Sequence, residues 1–215
     1  MNKFIKAGLL IVTLVIPALI FTFLQFFGTN HYDLPFYHPK MDLFGKVIVS
    51  NGDTVFYKVA APQLKTIDNK EFPKEYLAGG LTIVSYLPRE CGDSCQIVFS
   101  QLGRIYTLRH SISDLRLLTI TENWPIDDNR YPEELGKEGW KIGVFSEVDR
   151  NSVLNQDFLF ETKVPKAESD LAERKLILID WEGHIRGYYT GTDSDEIDRL
   201  MAEIKILDYA KKNKV

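Results

Sequence analysis

The first apolar block of the chain is also its longest. From Ala7 to Phe27 the sequence reads AGLLIVTLVIPALIFTFLQFF, without a charge. About 21 residues at 1.5 Å rise span roughly 31 Å, the thickness of a bilayer's hydrocarbon core. Backbone polar groups must pair internally in lipid, so the block is expected to be helical, with a kink where Pro17 removes one hydrogen bond. A cleaved signal peptide has a shorter apolar core, about 7–15 residues, and ends on small residues. Here Leu24 to Phe27 offers no such site, and no cysteine near the end invites a lipid. The pattern therefore predicts an uncleaved transmembrane anchor within residues 1–28. Lys3 and Lys6 precede it, and positive charge stays cytoplasmic, so everything after Phe27 is expected outside.

Periodicity then lapses. Gly28 to Pro39 (GTNHYDLPFYHP) mixes turn formers with aromatic rings and reads as a juxtamembrane linker over residues 29–40. Tyr32, Phe36 and Tyr37 suit either a membrane interface or the surface of the domain that follows. His31 and His38 are expected to face solvent.

Residues 41–215 read as one α/β domain. Thr54 to Val59 alternates and predicts a strand, and Asp68 to Glu71 a turn. Leu81 to Leu87 (LTIVSYL) is nearly all apolar, as a central strand covered on both faces should be. Leu115 to Thr121 (LRLLTIT) and Lys175 to Asp180 (KLILID) repeat the pattern. Ile185 to Tyr189 follows a tight turn at Trp181 to His184 and completes a hairpin. Between these strands, Cys95, Val98, Phe99, Leu102, Ile105 and Tyr106 recur at helical spacing, predicting a helix over Ser94 to Leu108 with Cys95 on its buried face. Ser146 to Phe158 is a weaker helical stretch. Ile197, Leu200, Met201, Ile204 and Leu207 mark a last amphipathic helix, with Asp193 and Glu196 as a capping box and Lys211, Lys212 and Lys214 at its end. The order is β-α-β followed by β-β-α: a thioredoxin-like fold, a central mixed sheet flanked by helices, preceded by one transmembrane helix.

Composition narrows the function. With 45% apolar and 26% charged residues the chain can build an ordinary core. A net charge of −4 without a basic patch makes nucleic acid a poor partner. The two cysteines, Cys91 and Cys95, are the most informative residues. They fall where the Leu81–Leu87 strand gives way to a helix, and the free N–H groups and dipole of a helix start stabilise a thiolate. Their four-residue spacing brings Cα atoms to about 6 Å, within disulfide reach, and an outward compartment permits oxidation. A plain structural staple is the alternative, but so short a loop contributes about 2 kcal/mol or less.

The domain resembles the SCO/SenC family over about Ala61 to Ala210. The residues that carry the likeness are Pro62-Gln63-Leu64 with Asp68 to Phe72, then Leu81 to Cys95. A closing segment adds Leu178-Ile179-Asp180, Gly183, Ile185 to Tyr189 and Gly191-Thr192. The resemblance implies a protein tethered to the bacterial cytoplasmic membrane with its domain on the periplasmic side. It implies thiol–disulfide chemistry at Cys91 and Cys95, copper delivered through the same two sulfurs, and a respiratory oxidase subunit or its assembly factors as partner. The chain also departs from the family. Gly92 and Gln96 stand where a proline usually follows each cysteine. Ala172 stands where the family has a third copper ligand, a histidine about eight residues before the aspartate of the closing strand, here Asp180. Thr121-Glu122-Asn123-Trp124-Pro125 replaces the usual acidic-proline pattern. Thiolates alone hold Cu(I), whereas Cu(II) needs the imidazole, so the expectation is a degenerate member in which redox chemistry outlasts copper binding. His184, in the hairpin turn, is expected to be exposed, and His110 to act as a helix C-terminal cation.

Overall fold

The computed structural model describes residues 3–27, 34–59, 62–88, 92–122, 132–146, 149–160 and 172–213. They fall into two units, residues 1–33 and 34–215. The first contains helix α1, Lys3–Phe27, with Pro17 inside it. Side chains are described along it only for residues 8–9 and 11–23, and all are exposed. Among the described residues, no helix is long and apolar enough to cross a membrane.

The second unit is built around β3, Leu81–Leu87, in which all seven residues are buried. Strand β4, Leu115–Thr121, lies parallel to it, as expected of strands joined by a helical crossover. That crossover is α2, Asp93–Tyr106. On the other side β6, Lys175–Ile179, runs antiparallel to β3, and β7, Ile185–Thr190, antiparallel to β6. A fifth strand, β5, Trp140–Val144, adds parallel to β4 at the edge, giving the order β5-β4-β3-β6-β7.

Strand alternation divides the core into two layers. Leu81, Ile83, Leu87, Leu115, Leu117, Trp140, Leu176 and Leu178 pack with α2 and with α3, Ser194–Asn213. A polar link crosses this layer: Ser85 Oγ lies 3.0 Å from Thr119 Oγ1, which also accepts from Trp140 Nε1 at 2.9 Å. Val84, Tyr86, Leu118, Ile120, Ile177 and Ile179 face the opposite way. Among the described residues, no long helix covers them. Phe72, Tyr76 and Leu77 do so, with Val153, Leu154, Phe158 and Phe160. The helix expected over Ser146 to Phe158 is a π-helical turn, Ser152–Asp157, with residues 147–148 outside the described set.

Three expectations are corrected. Thr54 to Val59 does not form a continuous strand: β2 is Asp53–Thr54, paired with β1, Val49–Ser50, and Phe56 and Lys58 make only isolated bridges. Residues 34–39 do not trail free as a linker. Tyr37 N–H donates to Ile185 O at 3.0 Å, and Arg186 donates to the Pro35 and Leu34 carbonyls. Phe36 packs under the Arg186 guanidinium at 3.8 Å and edge-on to His184. His184 is accordingly buried, not exposed. Its turn is organised by Asp180, whose Oδ1 accepts from the Glu182 and His184 N–H groups while Oδ2 pairs with Arg186 at 3.1 Å. Gly183 sits at φ +90° in that turn, a conformation suited to glycine.

This strap predicts a pH dependence. Burial holds His184 below the ordinary value of 6.5, against the pull of Asp180. His38, expected to face solvent, is instead half-buried and meets Tyr188 Oη at 2.7 Å, and burial lowers it in the same way. The unfolded chain therefore binds more protons below about pH 6.5, so the stability these groups confer is complete above that pH and is lost as pH falls toward the lowered folded values. Urea midpoints should drop between about pH 7.5 and about pH 5.5, and His184→Gln should reduce the drop. An equal drop in His184→Gln and His38→Gln would assign the effect elsewhere.

Candidate functional site: the cysteine pair at the start of helix α2

Strand β3 ends at Leu87, and α2 begins with Asp93. Gly92 is the N-cap in extended backbone, and Cys95, in the first turn, donates its N–H to Gly92 O at 3.1 Å. Arg89, Glu90 and Cys91 lie outside the described residues. Cys95 is disulfide-bonded, and the sequence holds one other cysteine, Cys91. Among the described residues no cysteine is free.

Cys95 is only 2% exposed and belongs to the layer formed by Leu87, Val98, Phe99 and Leu176. The helical pattern placed it on the buried face of α2, and it is there. One sulfur of the disulfide is thus sealed in the core at the carboxyl end of the central strand.

Among the described residues, neither position 172 nor a histidine supplies a third metal ligand beside Cys95. Ala172 opens a short 3₁₀ turn, Ala172–Arg174, that lies against α2 and β3, yet its methyl packs with the second layer, not with Cys95's. An imidazole grafted at 172 on this backbone would enter that layer. His184 and His38 are held in the strap, and His110 Nδ1 lies 2.8 Å from Thr107 O just past α2. His31 is outside the described residues. Among the described residues, no group of three or more His, Cys, Asp or Glu is arranged to hold a metal ion.

A second polar cluster at this end of the sheet has no counterpart in the sequence reading. Tyr86 Oη donates to Glu122 Oε1 at 2.8 Å, and Arg150 Nη1 reaches the same oxygen at 2.9 Å while its guanidinium lies over the Tyr86 ring. The Glu122 side chain is 8% exposed, so one oxygen of a buried carboxylate is shared by a phenol and a guanidinium. Only the odd placement of Glu122 directly after an apolar strand hinted at it. Tyr86 and Cys95 belong to opposite layers, so the cluster orders the strand ends from the far side of the sheet.

Comparison with solved structures decides the fold. BsSco, described as having a disulfide switch and as a member of the Sco family of cytochrome c oxidase assembly proteins, is 18% identical, with a TM-score of 0.53 over 71% of this chain and 94% of its own. A SCO1/SenC family lipoprotein from Bacillus anthracis is 16% identical, with a TM-score of 0.51 over 67% of this chain and 91% of its own. The fold is thioredoxin-like, and its structural neighbours include Sco proteins. No protein-family model and no curated relative matches the sequence.

Burial makes a direct prediction. In the reduced, folded chain Cys95 should resist a bulky maleimide, and it should label once urea opens the first layer. Ready labelling of Cys95 in the folded state, read by peptide mass, would contradict a sealed sulfur.

Proposed function

We propose that the chain is a Sco-like, membrane-tethered thiol–disulfide exchanger that serves the assembly of a respiratory oxidase. The observation that carries this reading is the disulfide-bonded Cys95, buried in the first turn of α2 at the carboxyl end of β3. A sulfur with 2% exposure cannot meet an incoming protein disulfide, so the attacking group is Cys91 and Cys95 is the resolving thiol.

The exchange balances as follows. The Cys91 thiolate attacks one sulfur of a partner disulfide, forming a mixed disulfide and releasing the partner's other sulfur as a thiolate. The Cys95 thiolate then attacks Cys91 Sγ, closes the intramolecular disulfide and releases the partner's second thiol. Two electrons pass to the partner, and a dithiol on another protein resets the pair by the reverse route. The helix start favours the thiolates throughout.

The tether is α1. Its sequence carries no charge from Ala7 to Phe27, it is helical over Lys3–Phe27, and Lys3 and Lys6 set its amino end in the cytoplasm. The domain then faces the periplasm, where a disulfide persists. The Bacillus anthracis neighbour is named a lipoprotein, another way of holding such a domain at a membrane. Copper enters this scheme only as cargo: two thiolates suffice for Cu(I) but form a poor Cu(II) site without an imidazole.

Two measurements test the reading. Cys95→Ser should trap mixed disulfides with membrane proteins through Cys91, visible on non-reducing gels, whereas Cys91→Ser should trap none. Absence of adducts from both variants would leave an inert staple. The reduced native chain should bind Cu(II) far more weakly than a Sco protein that keeps the histidine, and tight native binding would make copper delivery the leading function.

A further inference from the structure

Residues 40–55 form a finger that neither the exchange chemistry nor the core uses. Lys40 N–H donates to Val55 O and Lys40 O accepts from Ile48 N–H, while Val55 N–H donates to Ile48 O, at 2.8–2.9 Å. The β1–β2 hairpin closes through Asn51 and Gly52, both with positive φ. At the other turn Asp42 Oδ1 accepts from the Phe44 and Lys46 N–H groups at 2.8 and 2.9 Å, Asp42 N–H donates to Lys46 O, and Gly45 adopts φ +76°. This organised turn exposes its two central apolar residues: Leu43 is 101% exposed and Phe44 88%. Met41, Val47, Ile48 and Val49 extend the apolar surface, with Lys40 and Lys46 exposed beside it. A soluble surface rarely presents so continuous an apolar patch on a fixed turn without a use.

The finger leaves the domain where the chain enters it. Lys58 bridges to His184, Tyr57 N–H donates to His38 O, and the Phe36 and Phe56 rings stack at 5.1 Å. Ile185 is paired through Ile179 to Thr82, at the amino end of β3, opposite the cysteines. Only residues 28–33 separate α1 from Leu34, a reach of at most about 25 Å.

We infer that the 40–55 finger is a second membrane contact: Leu43 and Phe44 insert into the headgroup region of the bilayer that holds α1, with Lys40 and Lys46 on anionic headgroups. The inference rests on the anchor reading of α1. Apolar side chains flanked by lysines are what the interface takes up, and the short chain between α1 and the domain keeps this end within reach of it.

The test uses the full chain in vesicles of phosphatidylcholine and phosphatidylglycerol, with and without brominated acyl chains. Emission gained by Phe44→Trp over the native chain should be blue-shifted and should fall about twofold or more with brominated lipid, as for an indole at the interface. Adding Leu43→Asp should remove most of that quenching. Carbonate extraction of the same vesicles reads α1 separately. If the chain resists extraction while the Phe44→Trp emission is red and unquenched, the anchor stands and the finger inference falls, leaving a protein as the finger's partner. If the emission is quenched but carbonate releases the chain, the finger contact holds and the anchor reading falls. Release without quenching overturns both.

Discussion

Everything in this domain follows from the double burial of β3. Seven consecutive residues, Leu81 to Leu87, are sealed from water, so the sheet must carry a layer on each face. Ile83 and Leu87 draw α2 and α3 onto one side, and Val84 and Tyr86 draw the 72–77 and 153–160 segments onto the other. Burying an aliphatic side chain contributes about 1.5–3 kcal/mol, and β3 alone supplies Leu81, Ile83, Val84 and Leu87. The strand also sets the chemistry. Its carboxyl end delivers the chain to the start of α2, and Cys95 is drawn into the core because it lies on the same helical face as Val98, Phe99 and Leu102.

Where periodicity or an unbroken apolar run governs, the fold was legible. The runs at 81–87, 115–121 and 175–179 are the three central strands, and the stripe from Cys95 to Tyr106 is α2. The apolar run at the start of the chain is helical over Lys3–Phe27. The rest depends on tertiary contact. In β5, Trp140-Lys141-Ile142-Gly143-Val144, a lysine and a glycine blur the alternation, and the Leu64 side chain packs close over Gly143, where a Cβ would stand 2.8 Å from Leu64 Cδ1. The second layer is covered by coil, the 3₁₀ turn Lys74–Leu77 and one π-helical turn, segments too short or irregular to carry a period. His184 looked exposed because it lies in a turn, yet Phe36, from a segment with no pattern of its own, covers it. Asn51-Gly52, a hairpin dipeptide just before the stretch read as a strand, went unread, and it closes the β1–β2 hairpin.

Of the candidate site, helical spacing made one feature legible: Cys95 lies on the buried face of α2, where it is disulfide-bonded. Counting along the chain to Ala172 found the position beside α2 and β3 but not the direction of its side chain, which belongs to the other layer. The Tyr86–Glu122–Arg150 cluster joins residues from two strand ends and the helical turn before Ser152, and the parallel register of β3 and β4 brings the first two together. A carboxylate satisfied in this way by fixed partners is a positioning device more than a reactive group.

The arrangement of the strap gives the domain two distinct ends. Arg186 and Asp180 form a buried ion pair, and Arg186 also holds the carbonyls of Leu34 and Pro35. Such a pair is strongly destabilising when half of it is removed, so the entry point of the chain is fastened as firmly as the core. It is fastened at the amino end of β3, and the disulfide is at the carboxyl end. A strand of seven residues is about 20 Å long, and that length separates the entry point of the chain from the buried, disulfide-bonded Cys95.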